Sequence, residues 1–176
     1  KDITMAIELY DASIPFIQKM LSNSKWIMTK SKQNADERGI DFTVLVNSRL
    51  APDMYPLSKQ IQIMCDMAKG CAARLSGQDV PSWEDNEKTY EELVARIDKT
   101  LDFVSSVQAS DINGQEDRQI HVKTPNRSLE FKAVDYVQGF VIPNLMFHMT
   151  TSYNILRHNG VPLSKYDFVA GEAASK

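Results

Sequence analysis

Residues 56–75, PLSKQIQIMCDMAKGCAARL, decide the fold. Apolar side chains recur along this stretch at alternating spacings of four and three residues: Leu57, Ile61, Met64, Ala68, Cys71 and Leu75. That spacing gives a helix one apolar stripe and is typical of a helix packed in a bundle. We therefore predict a long helix from Pro56 to Leu75, ended by the break from Gly77 to Pro81.

Three other segments have the length and apolar spacing of long helices. They are about Asp11 to Arg38, a stripe from Tyr90 to Val104 after a capping-box pattern at Ser82–Asp85, and about Val134 to His158 with an interruption at Pro143. Between the first two, Asp41 to Leu50 predicts a brief helix opened by Asp41 as its cap.

One short region alternates polar and apolar residues. Residues 118–122 and 128–131 have this pattern and are joined through Thr124–Arg127, which predicts a small β-hairpin. The predicted fold is therefore all-α in the main, a four-helix bundle with a hairpin before the last helix. We expect one domain over residues 1–176, with its core at about 10–168, a surface loop at 105–117 and a frayed tail at 169–176.

Composition narrows the function classes. The 176 residues are 43% hydrophobic and carry a net charge of −3 without a basic stripe, so we expect no nucleic-acid partner. No apolar run approaches the roughly 18 residues of a membrane span, and Lys1–Met5 does not begin a signal peptide. The sequence predicts a soluble cytoplasmic protein with no membrane partner. Cys65 and Cys71 match no metal or redox spacing and are expected to be buried.

The last predicted helix contains a polar row among apolar neighbours. Asn144 and His148 lie four residues apart and share a face with Thr151. Unpaired buried polar groups cost about 1–3 kcal/mol each, so these side chains must bond one another, a facing helix, water, a ligand or a metal. The alternative is a core histidine satisfied by Asn144 or a backbone carbonyl. His121 is expected to be exposed, and His158 to lie at the helix end.

The helix at 56–75 offers facing partners. Gln62 and Asp66 form a stacked pair about 100° from the apolar seam, at the shoulder of the core or in water. A solvated ion pair between Asp66 and Lys69 is the alternative. The chain has no Gly-x-Ser-x-Gly, no phosphate-binding glycine loop and no His-Glu-x-x-His, which excludes several large enzyme classes.

Two blocks of sequence carry a family resemblance: residues 47–57, NSRLAPDMYPL, with 60–61 and 65–70, and residues 143–153, PNLMFHMTTSY, with 155–161. Both resemble the domain-of-unknown-function 1993 family, which is grouped with the DinB/YfiT-like metalloenzymes. The resemblance spans Tyr10 to Phe168. It implies a four-helix bundle, often a homodimer, and in the wider superfamily a divalent metal on three histidines, sometimes used to activate a thiol.

The resemblance carries the three metal positions to about Gln62, Asn144 and His148. Only one of them is a histidine, and neutral amides are poor substitutes for imidazole on zinc. Because two of the three histidines are replaced, we expect most of the metal affinity to be lost, although Asp66 could support a weak site if it turns inward. A divalent metal therefore stays an alternative and not the expected cofactor.

The sequence is compatible with three functions. The first is a metal-independent enzyme or binding protein with a pocket inside the bundle. In it His148, with Asp66, does acid–base chemistry on a small lipophilic molecule, which Asn144, Gln62, Thr151 and Tyr153 orient. The expected reaction is an isomerisation, cyclisation or elimination. The second is a metal-dependent transferase or hydrolase with a degenerate site. The third is a non-catalytic dimeric scaffold in which these polar residues only specify packing.

Overall fold

The computed structural model describes residues 7–124 and 127–175. Its helices are α1 (Ile14–Glu37), α2 (Phe42–Asn47), α3 (Leu57–Ser76), α4 (Tyr90–Ser105), α5 (Ala109–Ile112), α6 (Ala133–Asp135), α7 (Ile142–His158) and α8 (Lys165–Ala170). Strands β1 (Gln119–Thr124) and β2 (Arg127–Lys132) lie between α5 and α6. This order confirms a mainly helical fold with one small hairpin before the last long helix.

The four long helices pack around one core. Helix α3 contacts α4 and α7, and α1 contacts the same two helices from the other side. The predicted seam of α3 is buried: Leu57, Ile61, Met64, Ala68, Cys71 and Leu75 are each at most 1% exposed. Burial stabilises each large apolar side chain by roughly 1.5–3 kcal/mol relative to exposure, so this seam is a main source of stability.

The third long helix is capped later than the sequence predicted. The capping box is formed by Thr89 and Glu92: the Thr89 hydroxyl accepts from the Glu92 amide and the Glu92 carboxylate accepts from the Thr89 amide. The predicted box at Ser82–Asp85 is wrong, because residues 78–88 have no helical structure. The Asp85 carboxylate there pairs with Lys59 and Arg96, so it is not available to cap a helix.

The interruption predicted at Pro143 begins before the proline. A π-helical turn, Tyr136–Val141, connects α6 to α7, and Pro143 lies in the first turn of α7. A proline is tolerated there because the first turn of an α-helix needs no amide donor at that position. The widened turn re-aims the chain as it enters α7.

The described residues after 164 contact α1, including those up to 175 in the segment where a frayed tail was predicted. Helix α8 is followed by a 3-10 turn, Gly171–Ser175, and both contact α1. Asn23 of α1 donates from Nδ2 to the carbonyls of Phe168 and Val169, over 2.8 and 3.1 Å. These contacts supply the partners that a free tail would lack.

The remaining expectations concern short segments. The loop predicted at 105–117 includes the short helix α5. The hairpin pairs Gln119 with Lys132 through Thr124 with Arg127, and the predicted turn residues 125 and 126 lie outside the described residues, as do Lys1–Met5. None of the helices in the described part of the chain combines the length and apolarity needed to cross a bilayer.

Candidate functional site

His148 on α7 is bonded to a glutamine of α3. Its Nδ1 lies 2.7 Å from Oε1 of Gln60, and Gln60 is only 2% exposed. The amide nitrogen of Gln60 donates to the Tyr55 carbonyl over 3.1 Å, so both ends of the amide are fixed. The Gln60–His148 pair therefore ties the first turn of α3 to the middle of α7.

The imidazole of His148 is half-buried and has an aromatic neighbour. The Phe147 ring meets it edge to face at 5.2 Å between centroids. Burial lowers the pKa of His148 below its usual 6.5, because the charged form loses hydration and gains no carboxylate in return. Within the described residues Nε2 has no protein partner, and it is not fully buried. The ring is thus a neutral imidazole with one nitrogen held and the other available.

The other polar residues predicted on α7 bond the backbone. Asn144 donates to the Phe140 carbonyl over 2.6 Å and Thr151 donates to the Phe147 carbonyl over 2.8 Å. Tyr153 donates to the Leu163 carbonyl over 3.2 Å. Asn144 is not bonded to His148, so the two side chains share a face without satisfying each other.

Gln62 and Asp66 face away from His148. Gln60 and Gln62 are two residues apart, which separates them by about 200° around α3. Gln62 is buried, and its Nε2 donates to Oε2 of Glu87 over 2.9 Å. Asp66 accepts from Lys69 over 2.9 Å, as in the ion-pair alternative, and also from Arg96 over 3.0 Å. The predicted convergence of Gln62 and Asp66 with His148 is therefore absent.

The sequence reasoning missed a buried arginine. Arg96 of α4 is 4% exposed, and its guanidinium contacts Asp66, Asp85, Glu87 and the Glu84 carbonyl, at 2.9 to 3.0 Å. Burial disfavours its charged form, yet the hydrogen bond that Arg96 donates to Glu87 and the charges of the carboxylates raise the pKa of Arg96 overall. One signal was present: Arg96 lies three residues after Leu93 and four before Thr100, which places it on the inward face.

The residues present do not fit a resident divalent metal. Of the three expected ligands only His148 offers an imidazole, Gln62 lies on the far side of α3 and donates to Glu87, and Asn144 offers only a neutral amide oxygen. Residues 7–124 and 127–175 contain no group of three or more His, Cys, Asp or Glu side chains that could hold a metal. Burial raises the pKa of Cys65 and of Cys71 to about 12, which keeps both as thiols and not thiolate ligands.

Comparison with known proteins assigns the family. The model of the domain of unknown function DUF1993 matches residues 9–169. The chain is also similar to a DinB family member protein from Shewanella denitrificans known from a crystal structure, with 38% identity, 92% of each chain covered and a TM-score of 0.83. No curated protein matches the sequence. The chain belongs to the DUF1993 family and has the fold of a DinB family member.

Proposed function

We propose that this protein is a small-molecule enzyme that uses His148 as a general acid–base, without a bound metal, on a lipophilic substrate. The expected reaction is an isomerisation or cyclisation, in which a proton moves from one atom to another, or an elimination, in which a proton is removed as a leaving group departs. The observation that carries the proposal is the 2.7 Å contact between His148 Nδ1 and Gln60 Oε1.

The orientation of Gln60 selects the tautomer of His148. Since the amide nitrogen of Gln60 donates to the Tyr55 carbonyl, its oxygen is the atom that faces the imidazole. An oxygen acceptor requires a proton on Nδ1, which leaves the lone pair on Nε2. A neutral histidine held this way has the form that a general base needs, and the lowered pKa keeps it neutral at physiological pH.

Apolar surface next to His148 favours a lipophilic substrate. Phe147 is 58% exposed beside the imidazole, and Tyr55, whose carbonyl holds Gln60, is also 58% exposed. A substrate seated there would lie on the outer side of the α3–α7 pair and not inside the bundle. Asn144, Thr151 and Tyr153 each donate to a backbone carbonyl. Gln60, which bonds His148 directly, takes the orienting role that the sequence predicted for Gln62.

A proton-abstraction probe tests the proposal without a known substrate. We would follow 5-nitrobenzisoxazole, an aromatic compound whose ring opens when a base removes a carbon-bound proton. His148→Ala is expected to lower the protein-dependent rate about 10²–10⁴-fold, the usual contribution of a positioned base. His121→Ala and His158→Ala, which remove exposed histidines, are the matched controls. Equal rates for wild type and folded His148→Ala would contradict the proposal.

A non-catalytic scaffold is the second candidate. It is favoured by the same contact, because a buried Gln60 bonded to His148 also fixes how α7 packs on α3. In that case His148→Ala lowers the free energy of unfolding, by about 1 kcal/mol for the lost hydrogen bond or somewhat more, and changes no reaction rate. Measuring unfolding and rate on the same variant separates the two functions.

A further inference from the structure

A second region of the molecule has the features of a ligand site. A cleft of about 370 Å³ lies on the flank of α3, between this helix, the segment 78–83 and the hairpin. It lies on another face of α3 than the Gln60–His148 pair: its nearest α3 residue, Asp66, is six residues, roughly 9 Å, beyond Gln60 and about 240° around the helix. Its lining combines charged side chains (Asp66, Lys69, Arg74, Lys123) with apolar ones (Met67, Val80, Pro81, Trp83, Val122, Phe140).

The charge in this cleft is positive and incompletely neutralised. Its one carboxylate, Asp66, is already shared by the ammonium of Lys69 and the guanidinium of Arg96. Neither Arg74 nor Lys123 forms an ion pair with any of the described residues. A half-buried cation without a counterion retains a desolvation cost that a bound anion would offset.

Arg74 is held in place by uncharged groups. Its NH1 donates to the hydroxyl of Tyr136 over 2.9 Å, and Tyr136 is only 1% exposed. Gly70, one turn earlier on α3, makes room for this arrangement, because a Cβ at position 70 would collide with NH1 of Arg74. The Tyr136 hydroxyl therefore holds the guanidinium at the cleft, in space that Gly70 leaves open. Its positive charge can pair with an anionic ligand.

Apolar side chains line the cleft beside Arg74. Phe140 lies 5.9 Å from the ring of Tyr136, the residue that bonds Arg74, and stacks on it. The indole of Trp83 also lines the cleft, but the ammonium groups of Lys69 and Lys99 lie over it, 4.4 and 4.5 Å from its ring centroid. An apolar lining beside a fixed guanidinium suits a ligand with an anionic end and an apolar body, and the volume is within the range of small-molecule sites.

We propose that this cleft binds a small organic carboxylate, whose anionic group pairs with Arg74 and Lys123 and whose apolar body lies against Val80, Pro81 and Phe140. Arg74 gives the geometric selectivity, because a guanidinium can bond both oxygens of a carboxylate in one plane. The site is independent of the acid–base function proposed for His148.

Isothermal titration of the whole chain with phenylacetate and octanoate tests the proposal. Phenylacetamide, the uncharged analogue, and inorganic phosphate, an anion without an apolar body, are the comparison ligands. We expect the carboxylates to bind and the amide and phosphate to bind much more weakly. Arg74→Gln should weaken carboxylate binding about 10- to 100-fold, as expected for losing a charge-assisted contact.

Gly70→Ala is a second variant, which tests whether weaker binding in Arg74→Gln results from the loss of the contact or from a damaged fold. Alanine is the better helix former, and the clash it creates falls on the flexible end of Arg74, so the fold is expected to persist while the guanidinium leaves its place. Carboxylate affinity should then fall although no charge was removed. Arg157→Gln, which changes an exposed arginine of α7, and His148→Ala should both bind as wild type does.

Three results would overturn the proposal. One is no carboxylate binding by the wild type at millimolar concentration, and another is unchanged affinity in both Arg74→Gln and Gly70→Ala. The third is equal binding of phosphate and phenylacetate, which would show that the apolar lining of the cleft adds nothing to the affinity.

Discussion

Arg96 of α4 donates to Oε1 of Glu87 over 2.9 Å, in the segment that precedes its own helix. The same guanidinium contacts Asp85 and the Glu84 carbonyl, and Lys59 also reaches Asp85. One buried cation therefore holds a stretch of chain that has no hydrogen-bonded secondary structure of its own. Its Nε is buried without a partner, so the cluster is held by charge more than by complete hydrogen bonding.

Replacing this cation should unfold or loosen the segment. Arg96→Met leaves Asp66 and Glu87 without their shared counterion, so we expect the free energy of unfolding to fall by about 3–5 kcal/mol. The segment 78–88 should also become a site of rapid proteolysis. Urea unfolding and limited trypsin digestion measure the two effects. Arg157→Met is the control, and an equal loss in both variants would contradict the account.

Asp167 is the corresponding anchor at the C-terminal end. Its carboxylate is 3% exposed and accepts from Lys30, from the indole of Trp26 and from Ser164. Burial by itself would raise the pKa of Asp167, but these donors outweigh it and hold the pKa at about 2.

Asp167→Asn should therefore cost about 2 kcal/mol of unfolding free energy at neutral pH. Because the folded-state pKa is below the unfolded value of 3.8, this stability is present above pH 3.8 and is lost as the pH falls through about 2. Thermal unfolding of wild type and variant across that range measures the effect. Asp53→Asn, in an exposed turn, is the control, and a difference that does not shrink in acid would count against the assignment.

Helix α3 was predicted correctly from the sequence because its apolar residues repeat at regular spacings. Six seam residues at spacings of four and three define one face, and all six are buried. The glutamine that bonds His148 was harder to identify. Which glutamine of α3 faces His148 depends on how both helices are rotated about their axes, and no repeated pattern reports that rotation. Gln60 lies three residues after Leu57 and four before Met64, so it is on the seam, whereas Gln62 is not. That spacing was the available signal.

The charged cluster around Arg96 could not be predicted in the same way. Its carboxylates come from α3 and from a segment without periodic structure, so no local pattern joins them to Arg96. The sequence instead indicated a helix cap at Ser82–Asp85, because cap residues and ion-pair residues are chemically alike. The homodimer and the cytoplasmic location stay predictions, and the dimer is open to mass measurement in solution.

Metal content is a direct test of the altered ligand set. We expect protein purified without added metal to hold well under one equivalent of zinc, iron, nickel or manganese, because amides replace two of the three imidazoles. Histidines at Asn144 and at Gln60, which meets His148 where Gln62 was expected to do so, should raise zinc affinity, because two further imidazoles would then lie beside His148. Elemental analysis of wild type and the double variant measures this, and a stoichiometric metal in the wild type would refute it.

The pH dependence of any His148-dependent rate follows from its burial. Since the pKa of folded His148 is below 6.5, the base form should persist to lower pH than in a free histidine, and the rate should fall only as the pH drops through that lowered value. Stability should change in the same direction, because below pH 6.5 the unfolded chain takes up the proton more readily. Gln60→Glu should raise the pKa of His148 and move the acidic limb upward. If the acidic limb of the pH–rate profile did not move in Gln60→Glu, the rate would not depend on the Gln60–His148 pair.

Nitrogen-detected NMR of the His148 ring tests the central claim most directly. Nitrogen shifts and two-bond couplings to the ring protons distinguish a protonated ring nitrogen from a bare one, and His148→Ala assigns the signals. We expect Nδ1 to be protonated and Nε2 bare at neutral pH, with that preference lost in Gln60→Leu. A proton on Nε2, or a tautomer mixture that Gln60→Leu leaves unchanged, would contradict the account of His148 as a base oriented by Gln60.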